Sequence, residues 1–95
     1  MAAAPAPAPN FDLTQPWRLA PAVALRPEAF GALAYHYGNR RLVFLKSPEL
    51  VALVEALEHY DSAQAAIEDR IAAPQAASYQ AALASLAASE VLVVR

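Results

Sequence analysis

The stretch that decides the reading of this chain runs from residue 30 to residue 47: Phe30-Gly31-Ala32-Leu33-Ala34-Tyr35-His36-Tyr37-Gly38-Asn39-Arg40-Arg41-Leu42-Val43-Phe44-Leu45-Lys46-Ser47. Residues Ala32 to Tyr37 alternate as a strand does. Leu33, Tyr35 and Tyr37 would share one face, with Ala32, Ala34 and His36 on the other. Gly38-Asn39 is a hairpin dipeptide, because both residues tolerate positive φ. Arg41 to Leu45 is bulky and partly β-branched, and returns as the partner strand. Ser47-Pro48-Glu49 then starts a helix, with a capping hydroxyl, a proline at the first helical position and an acid at the positive end of the dipole.

Upstream, Leu19, Val23 and Leu25 sit among alanines, and Pro21 and Pro27 restrict where a sheet interior can lie. A first strand is expected near Ala22 to Arg26. Residues 1–10 form an Ala/Pro tail, whose alternating prolines favour an extended, solvated and disordered chain. Downstream, Leu50, Leu53, Val54 and Leu57 recur at helical spacing and make one apolar stripe, ending near His59 and Tyr60. Asp61 or Ser62 would cap a second helix with Ala63, Ile67 and Ile71 on its inner face. Pro74 opens a third, in which Tyr79, Ala82, Leu83 and Leu86 repeat the spacing. Val91 to Val94 closes the chain as a short apolar strand.

The order predicts an α+β domain over residues 11–95, a three-stranded antiparallel sheet followed by three helices that cover one face of it. These are the proportions of a winged helix-turn-helix. At 95 residues there is room for one modest core. Alanine supplies 25 of the hydrophobic residues and buries little area, so the larger side chains carry the burial.

Composition excludes more than it asserts. The chain has no cysteine, and therefore no disulfide and no thiolate metal site. Its two histidines, His36 and His59, have no ligand spacing around them, and its two glycines are too few for a phosphate loop. Glu68 and Asp69 read as a solvated helix face. No catalytic constellation, metal site or cofactor cradle is recognisable, so a non-enzymatic protein is expected. No run approaches the roughly 18 apolar residues of a membrane span, and the first residues lack the pattern of a signal peptide. A cytoplasmic protein is expected. The rival reading is a winged-helix nucleic-acid-binding regulator. A net charge of −2, and a third helix without Lys or Arg between Pro74 and Ala88, argue against it.

What remains is recognition by an edge. If strand order follows chain order, Arg41 to Leu45 is an outer strand with unpaired backbone groups, able to accept a strand from another chain. Whichever alternate pair of its side chains faces inward would simply pack under the helices. An unpaired edge also permits a weak or swapped dimer of an otherwise monomeric chain.

Ala24-Leu25-Arg26-Pro27-Glu28, then Phe30 to Leu42, then Phe44-Leu45-Lys46-Ser47, resemble the mycofactocin-system peptide chaperones. These are relatives of the small peptide-recognition protein of pyrroloquinoline quinone biosynthesis. The resemblance covers roughly residues 11–95 and is carried by the gapless Phe30 to Ser47 run. Ala29 stands where proline is more usual.

The resemblance implies a ribosomal-peptide recognition element with no catalysis or cofactor of its own. It would bind the mycofactocin precursor peptide and deliver it to a radical S-adenosylmethionine maturase. By the same resemblance the peptide site falls on Arg41, Leu42, Val43, Phe44, Leu45 and Lys46, and on Tyr79, Leu83 and Leu86 of the third helix. Precursors of this family are rich in acids, which Arg40, Arg41 and Lys46 would complement.

Overall fold

The computed structural model describes residues 11–95. The expected tail, residues 1–10, lies outside the described residues. The elements follow in the order β1 (Trp17–Leu19), β2 (Val23–Glu28), β3 (Gly31–His36), β4 (Leu42–Leu45), α1 (Pro48–Ala56), α2 (Ala63–Arg70), α3 (Ala76–Ala88) and β5 (Leu92–Val94). A three-stranded antiparallel sheet and three helices are present, as expected. Strand order in that sheet is β2-β3-β4, so the chain order holds.

One element departs from expectation. β1 pairs antiparallel with β5, Trp17 opposite Val94 and Leu19 opposite Leu92, and forms a separate two-stranded ribbon. The three residues that follow Pro16 carry no strand pattern of their own. Only a partner from the far end of the chain makes them one. Arg95 locks this closure: its N–H donates to the Pro16 carbonyl at 2.7 Å, and its guanidinium donates to the carbonyls of Glu58 and Tyr60 at 2.9 and 2.8 Å.

The β3–β4 turn is also built differently. Neither Gly38 nor Asn39 takes positive φ; Arg40 does, at 62°. The reason lies in two side chains. His36 Nδ1 accepts the Gly38 and Asn39 N–H groups at 3.0 and 3.2 Å, and Asn39 Oδ1 accepts the Arg41 N–H at 3.0 Å. With those donors satisfied, the chain reverses at Arg40, whose N–H reaches the His36 carbonyl at 2.7 Å.

The helices begin where capping chemistry puts them. Ser47 Oγ accepts the Leu50 N–H and Ser62 Oγ the Ala65 N–H, both at 3.0 Å. Pro74 opens a 3-10 turn over Ala73–Gln75, and α3 proper starts at Ala76. Leu50, Leu53, Val54 and Leu57 are all buried, as their stripe requires. Ile71 ends α2 at its C-cap, half-buried, rather than on its inner face.

On the sheet it is the alanines that face inward. Ala32, Ala34 and Leu45 are buried against the helices, while Leu33 and Tyr35 lie on the other face. Two methyl groups let α1 come close to β3, and α1 lies across β3 and β4. The expectation that all three helices cover this sheet needs correcting. α3 packs chiefly on β5, and α2 on α1 and α3.

Candidate functional site

β4 is an outer strand, and its geometry separates the two alternate sets of residues. His36 and Arg41 form a hydrogen-bonded pair, the His36 N–H donating to the Arg41 carbonyl at 2.9 Å. Antiparallel ladders alternate, so Ala34 opposite Val43 and Ala32 opposite Leu45 are the next bonded pairs. The backbone groups of Leu42 and Phe44 therefore point away from β3, into the open edge. Among the described residues no turn, loop or side-chain group bonds to them.

The opposite edge of the sheet is blunted. In β2 the same alternation turns Val23, Leu25 and Pro27 outward, since Tyr37 bonds to Ala22 and Tyr35 stands opposite Ala24. The Val23 N–H is already bonded to Ala20, and Pro27 has no N–H to offer. Pro27 thus costs the ladder nothing. β4 is the edge left available.

The side chains of β4 alternate with its backbone. Leu42 and Phe44 are 59% and 56% exposed on the outer face of the sheet, whereas Val43 is half-buried and Leu45 has no exposed surface. Arg40, Arg41 and Lys46 bracket the strand, all exposed, and none of them is ion-paired among the described residues.

Beside the strand's end lies a groove of about 200 Å³ lined by Lys46, Ser47, Leu50, Ser78, Tyr79 and Ala82. Of the three helix residues that the resemblance assigns to the peptide site, Tyr79 alone lines this groove. Leu83 and Leu86, also expected there, are buried in the core, and so is Leu45. Their side chains cannot touch a surface ligand, because they hold α3 and β4 to the rest of the domain. In an alanine-rich helix, residues 79, 83 and 86 look like one face. In the structure that face is a core stripe, and only its first member emerges at the rim. Ala82, a member of the same helical stripe in the sequence, lines the groove too, as does Ser78, which carries no distinctive sequence signal. Phe30, 42% exposed rather than buried, lies outside the expected site residues; its ring lies 5.8 Å from that of Phe44.

A larger cleft of about 400 Å³ is lined by residues that include Arg18, Leu19, Pro21, Val54, Glu55 and Glu58. It has volume but, among the described residues, no pairing of acid, base and nucleophile. Among the described residues no group of His, Cys, Asp or Glu could hold a metal ion, and no helix is long and apolar enough to cross a membrane.

Fold and site together define a small α+β protein whose three-stranded sheet ends on an open strand, β4, bracketed by cations and flanked by a groove. The chain belongs to the peptide chaperone MftB family, whose model matches residues 16–93. It is 43% identical over 91 residues to the peptide chaperone MftB of Mycobacterium tuberculosis, covering 90% of this chain and 80% of that one. The Mycolicibacterium smegmatis protein of the same name is 45% identical over 85 residues, covering 88% and 83%. The Mycobacterium ulcerans one is 44% identical over 93 residues, covering 97% and 85%. This is the family that the Phe30 to Ser47 run resembles. No solved structure matches the chain significantly, so no such likeness stands behind the winged-helix outline.

Proposed function

We propose that this chain is a non-catalytic chaperone whose residues 11–95 act as one peptide-recognition domain. It binds the ribosomally made mycofactocin precursor peptide by strand addition to β4 and presents it to the radical S-adenosylmethionine maturase, in the cytoplasm. The observation that carries this reading is the outward-facing backbone of Leu42 and Phe44 beside the Tyr79 groove. Membership of a family of peptide chaperones supports it. So does the family's acidic precursor, for which Arg40, Arg41 and Lys46 supply complementary charge at both ends of the strand. The iron–sulfur chemistry belongs to the maturase, since this chain has no cysteine with which to hold a cluster.

The rival, a nucleic-acid binder, lacks the charge: α3 carries no Lys or Arg. Titration of labelled precursor peptide, with duplex DNA as control, separates the two. Saturable binding of the peptide and none of the DNA is expected; the reverse would overturn the proposal. Presentation is tested by peptide turnover in the maturase with and without this chain. Equal turnover would remove that part of the function.

A further inference from the structure

The groove accounts for one face of a bound strand only. An added strand shows its side chains alternately to both faces of the sheet. On the outer face, opposite the groove, stand Phe30, Leu42 and Phe44, three of the five most exposed large hydrophobic residues among those described. Phe30 comes from the β2–β3 turn and tilts against Phe44 at 39°.

We propose that Phe30, Leu42 and Phe44 form a second subsite, an apolar ledge that reads every other side chain of the bound strand. This rests on the strand-addition reading above. The occupant follows from the ladder. Leu42 and Phe44 are the two residues whose backbone faces the open edge, and their side chains lie on the outer face. A strand bonded to them places its own residues beside them on that same face. Cross-strand neighbours stand about 5 Å apart, close enough for side-chain contact. The ligand segment therefore carries two apolar side chains two residues apart, one against Leu42 and one against the Phe30–Phe44 pair. The residues between and beside them turn to the groove side.

A second copy of this chain fits the ledge poorly. Antiparallel self-pairing that sets Leu42 against the copy's Phe44 also sets Arg40 against the copy's Lys46 at each end. Like charges directly opposite are destabilising. An extended peptide without those cations meets no such penalty.

The test is a substitution profile of the synthetic precursor peptide, each apolar residue changed in turn to serine. Binding is measured to the unaltered chain and to Phe30→Ala. Phe30 lies off β4, so this change leaves the backbone edge in place. In the unaltered chain two positions, two residues apart, are expected to cost about three- to tenfold in affinity each. In Phe30→Ala the cost at one of the two falls clearly, since Phe44 alone remains against that side chain. Leu42→Thr, which keeps a strand-forming residue, silences the other. Melting curves confirm that both variants are folded.

If the peptide binds but its profile is the same in all three proteins, the ledge is wrong and strand addition stands. If the unaltered chain does not bind the peptide, strand addition fails and the ledge with it. Saturation by self-association, seen as a dimer that excludes peptide, would also overturn the ledge.

Discussion

Phe44 stands opposite Leu33 in the β3–β4 ladder, as a pair that shares no backbone hydrogen bond. Its neighbour Val43, opposite Ala34, belongs to a bonded pair. Adjacent residues of one strand thus differ completely in what their N–H groups do: one holds the sheet together and the other faces solvent. Pro27 shows the same distinction at the other edge, where a residue without an N–H sits at an outward position.

Proline substitution separates the two roles. Phe44→Pro is expected to abolish peptide binding while the chain stays folded, whereas Val43→Pro breaks a ladder bond and costs about 1–3 kcal/mol of stability. Phe44→Ala controls for the lost ring and should retain weakened binding. Circular dichroism melts and peptide titration of the three variants check this. Phe44→Pro binding as well as Phe44→Ala would contradict it.

Gly31 is required by close approach. It has φ 152°, and a Cβ there would collide with the Leu45 carbonyl and crowd Ser47, whose N and O would lie 3.0 and 3.1 Å away. Those are backbone atoms at the β4–α1 junction and cannot turn aside. Gly31→Ala is expected to destabilise the domain by about 2 kcal/mol or more, read from chemical denaturation. An unchanged midpoint would show that β4 is not held there.

The cations at the edge should act at a distance. Arg40 has positive φ, so Asn, which tolerates that conformation, is the suitable replacement. The triple change Arg40→Asn, Arg41→Gln and Lys46→Gln is expected to weaken peptide binding about tenfold at low salt, mainly through association rate, and much less at high salt. Equal affinities at both salt concentrations would remove charge from recognition.

Asp12 gives a pH signature. Its carboxylate accepts the Thr14 hydroxyl at 2.6 Å and the Thr14 N–H at 2.9 Å, and these bonds hold its pKa below the ordinary 3.8. The native turn therefore holds the proton less well than the unfolded chain. Its stabilisation is complete above about pH 4 and is lost as pH falls through the lowered value. The Asp12 carbonyl accepts the Trp17 indole N–H at 2.8 Å, so the chain's single tryptophan reports on the turn. An acid transition in Trp17 fluorescence is expected, and Asp12→Ala should remove it. Persistence of that transition in Asp12→Ala would assign it elsewhere.

The hairpin and the first helix were legible because their signals are local. Arg41 to Leu45 has β-branched bulk, and Ser47-Pro48 has capping chemistry. Other features depended on contacts that no local pattern carries. β1 exists only through Leu92–Val94. The choice of Ala32 and Ala34 as the inward face goes against side-chain bulk, and follows from the space that α1 needs. The turn dipeptide suggested glycine and asparagine at positive φ, but the His36 imidazole rearranged the donors and left that conformation to Arg40. The outer position of β4 was readable, because strand order follows chain order. The helix side was not, since Leu83 and Leu86 share a stripe with Tyr79 yet lie in the core.

Amide hydrogen exchange by NMR, with and without precursor peptide, tests strand addition most directly. Free, the Leu42 and Phe44 amides should exchange quickly, while those of Val43 and Leu45 are protected by the ladder. With peptide bound, the Leu42 and Phe44 amides are expected to become protected together. Bound peptide with those two amides still exchanging at their free rates would contradict the account.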